Sequence, residues 1–216
     1  MSIACLVTRP NHDIPTRYLS AWAGKVIKII NAKGFRLFDL HGEKANKKEF
    51  ESRVKKLKPS FVFINGHGGP GHVTGQDDKI LVRAGVNEDI FESRVVYALS
   101  CQSAVELGPK SVKSGTFSYI GYDADFIFWY DEHQISRPHQ DTVAELFLEP
   151  SNQVAISLLK GNSSAQASRN SKKFFARNIH KLLSSESSPE ETHYIRYLLW
   201  DLKHQVCLGD GNVQIC

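Results

Sequence analysis

Two residues in this chain pair a base with a nucleophile: His67 in Phe61-Val62-Phe63-Ile64-Asn65-Gly66-His67-Gly68-Gly69, and Cys101 in Arg94-Val95-Val96-Tyr97-Ala98-Leu99-Ser100-Cys101-Gln102. Each follows a short β-branched and aromatic run of the kind that forms a buried strand of a parallel sheet. Parallel α/β sheets place ligands at the carboxyl ends of their strands, so the imidazole and the thiol are expected side by side. A thiol with an imidazole to move its proton is the minimum equipment for covalent catalysis by cysteine. The thiolate is the reactive form, and an ordinary cysteine is mostly protonated at neutral pH. A helix expected to begin near Ser103 would put its positive dipole end at Cys101 and favour the thiolate.

The elements needed to position such a pair can be read from hydrophobic periodicity. Residues 3–8 form a first strand. Leu19, Trp22, Ala23, Val26, Ile27 and Ile30 then recur at the spacing of one helix face, and Gly34 stops that helix. A second strand covers 35–40, and a helix over 47–57 buries Phe50, Val54 and Leu57 before Pro59 ends it. After the His67 strand, 72–74 and 79–82 read as a hairpin or small flap. A short helix over 89–93 returns the chain to the Cys101 strand, and a fifth strand ends near Gly121. Helices follow over 141–148, 151–160 and 164–183. A last helix opens on Ser188-Pro189-Glu190-Glu191, an N-cap serine with a capping-box glutamate, and runs to about His204. The alternation predicts a mainly parallel sheet with helices on both faces, read as a single domain over 1–216.

The apolar strand ending in His67-Gly68 and the second ending in Ser100-Cys101 resemble the shared pattern of the caspase-like (clan CD) cysteine peptidases. The gingipain-type and CHAT-domain branches look most similar. Gly115-Thr116-Phe117-Ser118-Tyr119-Ile120-Gly121 and Cys207-Leu208-Gly209-Asp210-Gly211 resemble the first, with Gly211 where a proline is usual. Lys79-Ile80-Leu81-Val82 and Leu158-Leu159-Lys160-Gly161 resemble the second. The likeness runs from about residue 35 to the C-terminus, but only the His-Gly and Ser-Cys pair is specific. It implies an α/β three-layer sandwich of the caspase-like type and a cysteine endopeptidase. Cys101 would be its nucleophile and His67 would act on the leaving amine, with the backbone N–H groups of Gly68 and Cys101 as oxyanion donors. Relatives that cleave after arginine or lysine carry an acidic residue at a comparable place, which nominates Asp125 first and Asp123 second for the substrate pocket, with Trp129 as a wall. Each of these has an ordinary alternative, as a surface loop, a helix cap or core.

Composition bounds the remaining readings. A chain of 216 residues with 41% hydrophobic residues is long enough to bury a core. The net charge of +4 is unclustered, and the basic residues on the helices read as solvated faces rather than a nucleic-acid surface. No apolar run suits a signal peptide or a membrane span, which points to a cytoplasmic protein with no membrane partner. Cys5, Cys101, Cys207 and Cys216 lack metal-type spacing and need not pair in a reducing compartment, with Cys207 expected at a helix end. His12, His41, His72, His133 and His139 could fall near the same sheet edge but lack zinc spacing, so neither a metal nor another cofactor is expected. No propeptide-sized extension or sensor domain is evident, which suggests control by a regulatory protein partner, a ligand, or processing in the loop 130–140. The competing readings are a non-catalytic interaction module within a larger assembly and an α/β hydrolase of small esters or amides.

Overall fold

The computed structural model describes residues 3–184 and 189–215. Strands β1 (Ala4–Arg9), β2 (Arg36–His41), β3 (Phe61–Asn65), β7 (Val95–Leu99), β8 (Ser118–Tyr122) and β9 (Gln205–Gly209) form one six-stranded sheet in the order β2-β1-β3-β7-β8-β9. All neighbours are parallel except β9, which runs antiparallel to β8. A second sheet of three short antiparallel strands, β4 (Gly68–Gly69), β5 (His72–Thr74) and β6 (Ile80–Arg83), leaves the carboxyl end of β3.

The central strands are buried on both faces, which is why they read as unbroken apolar runs. Side-chain alternation divides them between two cores. Phe61, Phe63, Tyr97 and Tyr122 face α1 (Ile14–Ala32), α4 (Thr142–Leu159), α5 (Ser164–Leu182) and α7 (Ile195–His204). Val62, Ile64, Val96 and Ala98 face α2 (Lys47–Leu57), α3 (Leu107–Lys113) and the small sheet. Phe63 stacks on Tyr97 across the β3–β7 pair, with centroids 5.0 Å apart. The expected α/β three-layer architecture, a mainly parallel sheet with helices on both faces, is the observed one.

Several local expectations are corrected. The helices expected over 141–148 and 151–160 are a single helix, α4, that continues through Pro150. Proline cannot donate to the carbonyl four residues back, but Asn178 Nδ2 from α5 donates to that Leu146 oxygen at 2.8 Å instead. Cys207 lies in an edge strand, β9, rather than at a helix end. No helix begins at Ser103: α3 starts at Leu107, and residues 101–106 are turns. Their amides are committed elsewhere, Gln102 N to Ala124 O (2.9 Å), Ala104 N to Tyr122 O (3.0 Å) and Glu106 N to Pro70 O (2.9 Å). Of the last expected helix, Ser188 lies outside the described residues. The rest is a short turn, α6 (Pro189–Thr192), followed by α7. Among the described residues no helix is long and apolar enough to cross a membrane.

Candidate active site

Sheet order brings the site together. Strand β3 lies between β1 and β7, so the segments leaving β1, β3 and β7 meet at one edge. Asn65 stitches the first two: its Nδ2 donates to Thr8 O at 2.9 Å and its N–H to Thr8 Oγ1 at 3.0 Å. His67 follows, its own carbonyl accepting from Thr74 N (2.9 Å) and Thr74 Oγ1 (3.1 Å) of the small sheet. Gly68 then passes directly over the Ser100-Cys101 backbone. A Cβ there would meet Cys101 O and Ser100 Cβ, each at 2.9 Å, so only glycine permits this approach.

The His67 ring is held by a residue the sequence reading did not identify. Asp13 Oδ2 lies 2.6 Å from His67 Nε2. The other oxygen, Oδ1, caps α1 by accepting from Thr16 N (2.9 Å) and Thr16 Oγ1 (2.5 Å), and Asp13 N donates back to Thr16 Oγ1 in a capping box. Burial alone would raise the Asp13 carboxyl, but hydrogen bonds from Thr16 and His67 outweigh it and hold the group below the ordinary aspartate value. The carboxylate therefore fixes the orientation of the imidazole from a rigid helix end. The signal in the sequence was Asp13-Ile14-Pro15-Thr16, a helix-start pattern at the end of a strand. What the sequence could not supply was the adjacency of β1 to β3.

Cys101 is held differently. Its thiol donates to Phe126 O at 3.8 Å, and no hydrogen bond joins it to His67 among the described residues. Burial is the main influence pushing this thiol up to about 11, opposed by the Phe126 contact and reinforced by the Asp125 charge. This corrects the expectation of a thiolate favoured by a helix dipole, since the helix is absent and desolvation favours the neutral thiol. The next residue, Gln102, adopts a left-handed conformation (φ 53) that non-glycine residues seldom take. Such strain recurs where a functional side chain must be aimed, and here it turns the chain sharply after Cys101.

His67 and Cys101 border the same cavity, of about 260 Å³. The remaining wall is largely apolar: Pro15, Leu19, Leu99, Phe126, Ile127 and Phe128. Asp201 of α7 supports this wall from behind, its Oδ1 accepting from Ile127 N at 3.0 Å. Burial holds the Asp201 carboxyl well above its ordinary value, the Ile127 hydrogen bond only partly opposing it.

The residues nominated for substrate lie outside that cavity. Asp125 is exposed and accepts from Gln102 Nε2 at 2.9 Å, so it does not form the buried base of a pocket, although its charge reaches Cys101. Asp123 is exposed and bonded to His204 Nδ1 at 2.7 Å. Trp129 is exposed and packs with His193, Tyr194 and Tyr197. Of the other histidines, His12 lies against His67, with ring centroids 6.0 Å apart, and His41 sits beside Asn11. His72 packs on Gly69, while His133 and His139 lie in short 3-10 turns of the 130–140 segment.

No protein-family model matches the chain, and no curated protein matches it. Solved structures do. The crystal structure of the Arg-specific cysteine proteinase gingipain R aligns with 98% of this chain and 47% of its own length, at a TM-score of 0.67 and 9% identity. The complex of the pro- and mature domains of RgpB from Porphyromonas gingivalis aligns with 98% and 48%, at a TM-score of 0.61 and 9% identity. The chain thus has the gingipain caspase-like fold and spans about half the length of these two structures.

Proposed function

We propose that the protein is a cysteine peptidase in which Cys101 attacks the scissile carbonyl, His67 carries the proton and Asp13 orients His67. The observation that carries this reading is the convergence of His67, braced through Nε2 by Asp13, and Cys101 on one cavity at the carboxyl ends of adjacent strands. In the acylation step the thiol gives up its proton to the imidazole and its sulfur bonds to the carbonyl carbon. The imidazolium then protonates the departing amine as the C–N bond breaks. Water subsequently hydrolyses the thioester. The Gly68 and Cys101 N–H groups are the proposed oxyanion donors, a role favoured by the close passage of Gly68 over the Ser100-Cys101 backbone.

A thiol pushed up to about 11 by burial is held overwhelmingly protonated at pH 7. That supports a resting enzyme awaiting a partner or ligand that shifts the 124–128 segment away from Cys101. It equally favours the second reading, an interaction module that never turns over.

For specificity, the apolar lining of the cavity supports an uncharged aliphatic or aromatic P1 side chain. The alternative, cleavage after a basic residue, draws on Asp125 near Cys101 and on the likeness to the Arg-specific gingipain R. A panel of acyloxymethyl-ketone peptides with P1 Leu, Phe, Arg, Lys or Asp, followed by intact mass, tests all three. A Cys101 adduct formed fastest with Leu or Phe is expected. Fastest reaction with Arg or Lys, lost in Asp125→Asn, would establish the basic pocket. Failure of every peptide under all partner conditions would leave the module.

A further inference from the structure

We propose that His12, His67 and Asp78 form a zinc site whose occupation removes His67 from proton transfer and so switches the protein off. The three residues come from separate segments: the β1–α1 loop, the end of β3, and the tip of the hairpin between β5 and β6. One ligand atom from each lies within 4.8 Å of the others. His12 Nε2 is 3.3 Å from Asp78 Oδ1. Two imidazoles and a carboxylate are the donor set that zinc takes in open, three-ligand protein sites, with water completing a tetrahedron.

The cluster needs only a small contraction to close on a metal. Ligand atoms around tetrahedral zinc stand roughly 3.3 Å apart at bond lengths near 2.0 Å. Asp78, with its side chain 63% exposed, is the member with room to move. His12 is 13% exposed, and its Nδ1 is buried without a hydrogen-bond partner, so the ring can turn without losing a bond there. The hairpin is kept over His12 by the adjacent residue, because Asn11 N donates to Gln76 Oε1 at 3.0 Å.

Asp13 supplies the outer support such a site uses. If zinc takes His67 Nδ1, the Asp13 bond to Nε2 becomes the carboxylate that backs a ligating imidazole. If zinc takes Nε2, it displaces that bond. Either way the imidazole no longer carries protons. The inhibitory half rests on the peptidase reading, whereas the binding half does not.

The test begins with Cys101→Ala protein, so that no nucleophile thiol competes, titrated with Zn2+ by calorimetry and with Co2+ by visible absorption. One metal per chain and a tetrahedral cobalt spectrum are expected. Combining this background with His12→Ala or Asp78→Asn should weaken binding by at least about tenfold. Asp78→Asn lies on an exposed turn and keeps the question answerable if His12→Ala fails to fold. In the activated wild-type protein Zn2+ should abolish turnover and a chelator restore it, while both variants keep metal-free turnover and need about tenfold more zinc. The proposal is overturned if Cys101→Ala binds no metal, if neither substitution weakens binding, or if zinc accelerates turnover. Site-dependent binding in a protein with no peptidase activity would sustain the metal site and fail only the peptidase reading.

Discussion

The two strand ends that build the site are finished to different degrees. At the end of β3 the groups that aim His67 are engaged, its carbonyl by Thr74, its Nε2 by Asp13, and the Asn65 N–H groups by Thr8, although Asn65 Oδ1 and the neighbouring His12 Nδ1 stay unpaired. At the end of β7, Ser100 Oγ is buried without a partner, Gln102 is strained, and the Cys101 thiol is turned to Phe126 O and kept neutral by burial. The His67 side is preorganised and the Cys101 thiol is held back. On the proposed reading, activation need move only one side, the turn at 101–106 with the 124–128 segment bonded to it.

The largest effect should come from removing either end. In the activated protein Cys101→Ala is expected to lower kcat by about 10⁴-fold or more and His67→Ala by about 10³-fold, with unchanged circular dichroism. Turnover surviving in either variant would end the assignment of both halves. Asp13 separates support from chemistry. Asparagine caps a helix as well as aspartate, so Asp13→Asn should lose only the small stability that the carboxylate gains from His67. It should still lower kcat by about 10²-fold, below the 10⁴-fold of a buried triad carboxylate, because the Asp13 side chain is 37% exposed. Asp13→Ala should lose the same activity and about 1 kcal/mol of stability besides. Equal kcat for wild type and Asp13→Asn would show that the bracing is structural only.

Smaller effects probe the restrained half. Alkylation of Cys101 by iodoacetamide should rise with pH through the neutral range and toward about 11 in the resting protein. Asp125→Asn removes an opposing charge and should raise the rate at pH 7 by about twofold, no more, since that carboxylate is exposed and screened. A flat profile would mean that burial does not restrain the thiol. The smallest change is expected at Asp201. Its folded pKa lies above its unfolded value, so the stability it contributes is fully present below the unfolded value of about 4 and declines as pH rises toward the folded one. Asp201→Asn, a neutral isostere that keeps an acceptor for Ile127 N, should melt no lower than wild type at pH 7 and equally at low pH. A large loss in the variant at pH 7 would indicate that the charged form matters.

The legible parts of this molecule are those encoded by short-range pattern. The runs 61–65 and 95–99 announce buried parallel strands because both faces are apolar, and they carry His67 and Cys101 with them. Where pattern was overridden, a distant partner did it. Pro150 reads as a break, yet Asn178 from another helix repairs the missing hydrogen bond. The turn after Cys101 reads as a helix start, yet its amides are drawn to Pro70, Tyr122 and Ala124. β9 was hidden because Gln205–Gly209 is a short, half-buried edge strand, packed antiparallel at the end of a helical region. Asp13, His12 and Asp78 gain meaning only from sheet order and the fold of the small hairpin, neither of which is written in the residues beside them. Asp125 was placed near the thiol by position in the chain, but its burial could not be inferred, and it turned outward to Gln102.

Asp13 divides its two oxygens between the first turn of α1 and the His67 ring. The end of a helix is where thermal fraying starts, and fraying here would free the carboxylate from its cap and let the imidazole drift. Warming would then undo the proposed proton transfer while the sheet is still whole. On the peptidase reading, sequence changes anywhere in that opening turn, though they touch no substrate, would be felt as lost turnover rather than as instability.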